Sequence, residues 1–385
     1  MDTSDYWDSV FEYEIDTSWR DRQTDYYRVY RQKFEAAQQR NYLSDFPLSI
    51  EIEASYHCNL KCPACPRVVN PEERNIDHMS EDLWQIILNE CAKHNLPAMM
   101  MDHEAESLMN PRFIRMVNET KTAGVIDIWL HTNANMLNSR RSEQLIDAGI
   151  TKINFSIDAI TSETYDILRP GGNYERVVAN ILEFLRLKQE REASYIRTRV
   201  SFVEQTVNAH ERQGFFDLWN AVPGLNLITY QVCLDFSPYE TPDCDSSLDI
   251  DQLTAKYRDY APFNCSAPWQ TPIIDIKGNV VPCGQPVRQH NKDFILGNLL
   301  NGDTIESCWN GQKMGDLRDL HTQGEWYRNP MCRVCVNTLR SSVHQAEARG
   351  GATHMDGTVT EIRLTPRTEV PSLSPIPRPT PDLDY

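Results

Sequence analysis

The chain has 385 residues, 55 of them acidic against 38 Lys and Arg, giving a formal net charge of -17. This balance argues against a nucleic-acid partner, because phosphate binding needs a basic face, and points to a small-molecule or peptide substrate. No run reaches the roughly 18 apolar residues of a membrane span, and the start Met1-Asp2-Thr3-Ser4-Asp5 lacks the basic and apolar parts of a signal peptide, so a cytoplasmic protein without a membrane partner is expected.

Residues 1–47 are polar and aromatic, and Tyr26, Tyr27, Tyr30 and Phe34 fall near helical spacing within a predicted helix from Trp19 to Arg40. This segment reads as a helical cap on the exterior or lower rim of a barrel formed by later segments, and is roughly half the length a separate peptide-binding domain needs. From Leu48 a strand and helix alternation begins. The predicted strands are Leu48 to Glu53, Ala98 to Asp102, Asp127 to His131, Lys152 to Ile157, Arg197 to Val203 and Leu225 to Val232, with helical patterns such as Glu81 to Lys93 and Tyr174 to Lys188 in the gaps. Six β/α units over residues 48–233 imply an α/β fold with a parallel, partly closed barrel, whose chemistry sits at the C-terminal ends of its strands.

The first strand ends in Ser55-Tyr56-His57-Cys58-Asn59-Leu60-Lys61-Cys62-Pro63-Ala64-Cys65-Pro66. Eleven cysteines in a reducing compartment read as metal ligands before disulfides, and here three are spaced C-x3-C-x2-C. Three thiolates can hold three irons of a [4Fe-4S] cube and leave the fourth open, whereas a structural zinc closes with four ligands and would need a distant one such as His57 or His103.

Polar groups recur at later strand ends. They are Glu106 in His103-Glu104-Ala105-Glu106-Ser107, Asn133 in His131-Thr132-Asn133-Ala134-Asn135, and Ser156 and Asp158 in Asn154-Phe155-Ser156-Ile157-Asp158-Ala159. Ser156 and Asp158, two apart, are expected on one face of a strand, as are Arg197 and Arg199 on the next. Either pair serves a ligand or merely stabilises a loop or meets solvent. Cys233 ends the sixth strand, where a thiol can give a hydrogen atom to a substrate radical or simply pack. Cys91 and Cys308 read as buried apolar residues, and Cys244 has no functional reading.

Residues 234–260 form a linker rich in Pro, Asp and Ser. A second module, 261–345, opens with Cys265, runs through a hairpin with the turn Lys277-Gly278-Asn279 to Cys283, and ends in Cys332-Arg333-Val334-Cys335. Alone, these four cysteines fit a zinc ribbon. Residues 346–385 are Pro-rich and expected to be disordered.

The first cysteine spacing after a strand resembles the signature of the radical S-adenosylmethionine (SAM) superfamily, and the later quartet resembles its SPASM/twitch extension. The resemblance spans roughly residues 48–340 and implies a SAM-binding [4Fe-4S] cluster on Cys58, Cys62 and Cys65. It further implies one auxiliary [4Fe-4S] cluster on Cys265, Cys283, Cys332 and Cys335, since no cysteine follows Cys335 as a larger module would require. Glu106 occupies the glutamate of the family's Gly-Gly-Glu-Pro segment, with Glu104, Ala105 and Ser107 at its other positions. Tyr56, Glu106, Asn133, Ser156, Asp158 and Arg199 would then contact SAM, and a flavodoxin- or ferredoxin-type protein would donate the electron. The arrangement is similar to that of dehydrogenases of aminocyclitols, which implies net oxidation of a sugar, aminocyclitol or similar molecule. Peptide or protein modification, epimerisation, and a non-catalytic zinc-binding interaction protein are the alternatives.

Overall fold

The computed structural model describes residues 10–69, 78–234, 245, 247–257, 265–284 and 294–338. Cys244, most of the linker and the Pro-rich tail lie outside the described residues. Six parallel strands form the centre of one sheet: β2 (Ser49–Ile52), β3 (Ala98–Met100), β4 (Asp127–Thr132), β5 (Lys152–Ser156), β6 (Arg197–Glu204) and β7 (Leu227–Val232). They follow the six predicted segments to within a few residues and lie side by side in chain order.

Period-two alternation gives this sheet two different faces. Ile50, Ile52, Met99, Ile128, Leu130 and Ile153 belong to the main apolar core, with Trp84 and Ile87 of α2 (Glu81–His94), Phe113 of α3 (Phe113–Thr122) and Phe184 of α5 (Tyr174–Glu190). Between α3 and α5 lies α4 (Ser139–Ala148). Ser80, Asn138 and Asn173 cap α2, α4 and α5 by accepting from backbone N–H groups in the first turns. The residues that alternate with the core set, including Glu51, Trp129, His131, Asn154 and Arg199, occupy the other face and are buried there, apart from half-buried His131. The lining of the barrel is therefore polar while its outer face is oily.

Two additions lengthen the sheet. At one edge β1 (Val10–Glu14) pairs antiparallel with β7 and brings Glu12 to the polar face. The short carboxylate-bearing sequence Val10-Phe11-Glu12-Tyr13-Glu14 gave no strand expectation. Glu12 finds its partners only in tertiary structure, in Arg197 and Arg199. At the other edge the hairpin of β8 (Ile273–Ile274) and β9 (Asn279–Val281) joins β2, with β8 parallel to it, and β10 (Gly297–Asn298) completes the sheet. Gly278 turns the hairpin with a φ of 81°, a left-handed value that glycine adopts freely.

The helix α1 (Asp25–Gln38) buries Tyr27, Tyr30, Phe34 and Ala37 against Leu48, Ala98 and Trp269, at the N-terminal ends of β2 and β3. Among the described residues, no helix is long and apolar enough to cross a membrane.

Candidate functional site

The first cysteine loop leaves the C-terminal end of β2 and is tied down from the ends of β3 and β4 and from the turn after the helix Ser162–Leu168. Glu106 N–H donates to the His57 carbonyl at 3.0 Å, Asn133 Nδ2 donates to Asn59 Oδ1 at 2.8 Å and approaches Cys58 Sγ at 3.8 Å, and Lys61 N–H donates to the Pro170 carbonyl at 3.0 Å. Gly171 lies beside this last contact with φ of 97°, where an added Cβ would stand 3.0 Å from the Asn59 carbonyl. The guanidinium of Arg67 lies over the Tyr56 ring, 4.6 Å from its centroid.

Burial raises the Cys58 and Cys62 thiols above their usual range and pushes Cys65 up to about 11. Cys62 acts electrostatically on both Cys58 and Cys65, so the three thiols are close to one another. Among the described residues, however, no three His, Cys, Asp or Glu side chains converge as they would around one ion. Three thiolates on one loop can each bind a different corner iron of a cube.

Glu106 is 2% exposed. Its carboxylate accepts from Leu108 N–H at 3.2 Å, from Thr132 Oγ1 at 2.9 Å and from Asn133 N–H at 2.8 Å. It thus caps the turn Ser107–Met109 and joins the ends of β3 and β4. Burial outweighs these bonds and pushes its pKa up to about 7.

Asp158 departs from the expected geometry. The strand ends at Ser156, Asp158 has a φ of 64°, and its carboxylate is engaged by Arg169 Nε at 3.0 Å and Val203 N–H at 2.8 Å. It therefore does not continue the strand face of Ser156, and its visible task is to hold Arg169. That buried guanidinium acts on Cys62 and lowers the thiol's pKa against the effect of burial. Nothing in the local sequence around Arg169 marks it for this role. Ser156 is half-buried and pairs in register with Ser201.

Arg199 sits deeper. Its Nη1 donates to Glu12 Oε1 at 3.3 Å and its Nη2 to His131 Nε2 at 3.0 Å. An arginine only donates, so Nε2 accepts and the His131 proton lies on Nδ1, which meets Asp102 Oδ2 at 2.9 Å. Nearer the cysteine loop, buried His103 bonds Glu51 through Nδ1 and has Nε2 3.7 Å from Glu104.

In the second group, Cys265 and Cys283 act on each other, and Cys265, Cys283 and Cys335 all act on Cys332. The four cysteines are therefore neighbours in space, Cys265 and Cys283 flanking the hairpin and Cys332 and Cys335 lying in the helical stretch 330–338. Burial pushes Cys265 up to about 12 and raises Cys332 well above its usual range. Beside them, His321 Nε2 lies 3.5 Å from Cys332 Sγ, and Arg40 binds the His321 carbonyl at 2.7 Å. Neither residue stood in a recognisable spacing. Cys91 and Cys308 are buried in the main apolar core. Cys233 is half-buried just past β7, its N–H donating to the Glu204 carbonyl at 3.4 Å.

Residues 52–199 match the Radical SAM superfamily and residues 265–336 match SPASM, an iron-sulfur cluster-binding domain. Among curated proteins, the probable GTP 3',8-cyclase of Methanocaldococcus jannaschii is 26% identical over 160 residues, 42% of this chain and 51% of that protein. The chain thus spans about half the length of that relative. The PqqA peptide cyclase of Rhodopseudomonas palustris is 22% identical over 318 residues, 75% of this chain and 79% of its own. A solved structure of anSMEcpe with bound AdoMet shares the fold, with a TM-score of 0.52 at 15% identity, covering 79% of this chain and 98% of that one. A radical SAM domain implies a [4Fe-4S] cluster and SAM, and a SPASM domain implies auxiliary iron-sulfur clusters, so the zinc reading of both cysteine groups falls away. The chain belongs to the radical SAM superfamily and carries a C-terminal SPASM domain.

Proposed function

We propose that this protein catalyses the net oxidation of an alcohol carbon in a sugar, aminocyclitol or similar small polar molecule. When bound, the cofactors supply a 5'-deoxyadenosyl radical that removes the carbon-bound hydrogen and an auxiliary cluster that accepts the remaining electron. Cys58, Cys62 and Cys65 hold the first cluster, and Cys265, Cys283, Cys332 and Cys335 hold one auxiliary cluster. Tyr56, Glu106, Asn133 and Ser156 surround the SAM position, Arg199 faces substrate instead, and a flavodoxin or ferredoxin delivers the priming electron. The hydroxyl proton passes to the buried set of His103, Glu51 and Glu104. The observation that carries this reading is the second cysteine group, in which Cys265 and Cys283, on either side of a hairpin joined to β2, come within electrostatic reach of Cys332 next to Cys335 in the helical stretch 330–338. Oxidation needs such an acceptor, and a redox-neutral reaction does not. Anaerobic reconstitution with SAM and dithionite against carbinol-deuterated alcohols tests it: deuterium should appear in 5'-deoxyadenosine, and its absence across the alcohols would reject the substrate class. Peptide modification is a second reading, favoured by the 79% coverage of the PqqA peptide cyclase; a precursor-type peptide is therefore included among the substrates.

In this reading the Glu106 carboxylate receives the SAM ammonium, which favours its ionised form. Its pKa of about 7 lies above the usual carboxylate range, so SAM affinity should fall as pH drops through about 7 and level off above it. Glu106→Gln removes a charge-assisted bond worth about 2 kcal/mol, so affinity should drop by at least about tenfold and lose this pH dependence. Equilibrium binding between pH 5.5 and 8.5 checks both, and an unchanged profile in the variant would remove Glu106 from the SAM site.

A further inference from the structure

The polar face of the sheet holds another set of groups below the cysteine loop. Asn154 pairs in register with both His131 and Arg199, whereas Ser156 pairs with Ser201. One pleat repeat, about 7 Å, therefore separates Arg199 from Ser156. The contacts made by Glu106, Asn133 and Arg169 lie at or beyond the strand ends. At the level of Arg199 a cavity opens, lined by Trp129, His131, Lys152, Asn154, Arg197 and Arg199.

Two polar atoms in this wall are buried with no hydrogen-bond partner among the described residues, Trp129 Nε1 and Asn154 Oδ1, on residues only 8% and 7% exposed. Buried donors and acceptors are almost always paired, and one left open beside a cavity marks a place where a ligand completes the bonding. Arg199 spends one N–H on Glu12 and one on His131, which leaves the other hydrogens of its five-donor fork. Asp102 fixes the His131 ring, and His131 in turn fixes the guanidinium. The indole N–H, the Lys152 ammonium, which pairs with Asp127 at 2.9 Å, and two guanidiniums, which share Glu12, leave the wall richer in donors than in acceptors, while Asn154 Oδ1 calls for a hydroxyl of the same ligand.

We propose that this cavity is a substrate subsite for an oxyanion, a carboxylate or phosphate carried by the substrate, with Arg199 and Trp129 as its donors. The inference rests on the oxidation reading only in that the substrate enters the barrel. Carboxylates can come from SAM as well as from substrate, and the test separates the two. Thermal unfolding is followed on the full, anaerobically reconstituted chain saturated with SAM, with millimolar inorganic phosphate or acetate at constant ionic strength. The anions should raise Tm more than chloride or neutral scyllo-inositol does. Trp129→Phe keeps a ring beneath Lys152, whose Nζ lies 3.7 Å from the ring centroid, and removes the unpartnered N–H. It should fold and lose most of the anion response, and Arg199→Lys should lose it too. An anion effect no larger than that of chloride, an equal response in Trp129→Phe, or stabilisation by scyllo-inositol alone would overturn the proposal. So would a phosphate response seen without SAM and abolished by it, which would assign Arg199 to the cofactor carboxylate. None of these readouts requires turnover, so failure of the oxidation reading leaves them intact, and a missing anion response leaves oxidation standing.

Discussion

Changing Cys58, Cys62 and Cys65 together to Ala should abolish formation of 5'-deoxyadenosine while leaving about four irons per chain, those of the auxiliary cluster. The three thiols occupy a single loop after β2, and the contacts reaching that loop from Glu106, Asn133 and Pro170 come from backbone and amide groups. Without thiolates the first cluster has no ligand. The second group is built from the hairpin and the helical stretch 330–338, so its iron should survive. Iron and sulfide analysis with chromatography of SAM cleavage products reads both effects. Retained 5'-deoxyadenosine would place the reactive cluster elsewhere, and zinc in place of the remaining iron would remove the auxiliary cluster.

Replacing Cys332 and Cys335 by Ala should have the opposite signature. These residues supply two of the four sulfurs of the second group, and Cys332 is acted on by all three others. Its loss dismantles the site without touching the first cysteine loop. Slow SAM cleavage in the absence of substrate should persist, but substrate oxidation should fall by at least about a hundredfold, equivalent to more than about 2.7 kcal/mol of barrier. Oxidation at the wild-type rate in a variant shown to lack auxiliary iron would mean that the second cluster does not take the electron.

The sequence displayed the barrel because its strands are buried on both sides. A run such as Ile128-Trp129-Leu130 between turn-forming residues has few other homes, and all six predicted strands lie in the parallel sheet. The first cysteine group was legible from its C-x3-C-x2-C spacing, and the second from its terminal C-x2-C and the hairpin signal between Cys265 and Cys283. What escaped is held by long-range pairing. The strand β1 depends on its pairing with β7, and its Glu12 on Arg197 and Arg199, about 185 positions away in the chain. The left-handed turn at Asp158 depends on Arg169 and on Val203 of a neighbouring strand, so period two ceased to hold there. The same applies to the joining of β8 to β2 and to His321 beside Cys332, neither of which leaves a local pattern.

Oxidation and epimerisation begin alike, with removal of hydrogen from carbon, and differ in the fate of the resulting radical. Oxidation passes one more electron to an acceptor, whereas epimerisation returns a hydrogen atom to carbon. An epimerisation would need a hydrogen donor, for which Cys233, half-buried just past the end of β7, is the thiol to test. The most direct measurement is the product mass in deuterated water, for the wild type and for Cys233→Ala. A product lighter than substrate by two hydrogens, free of solvent deuterium at carbon and formed within a few-fold of the wild-type rate by Cys233→Ala, is expected. A product of unchanged mass apart from one solvent deuterium, lost in Cys233→Ala, would contradict net oxidation and identify an epimerase.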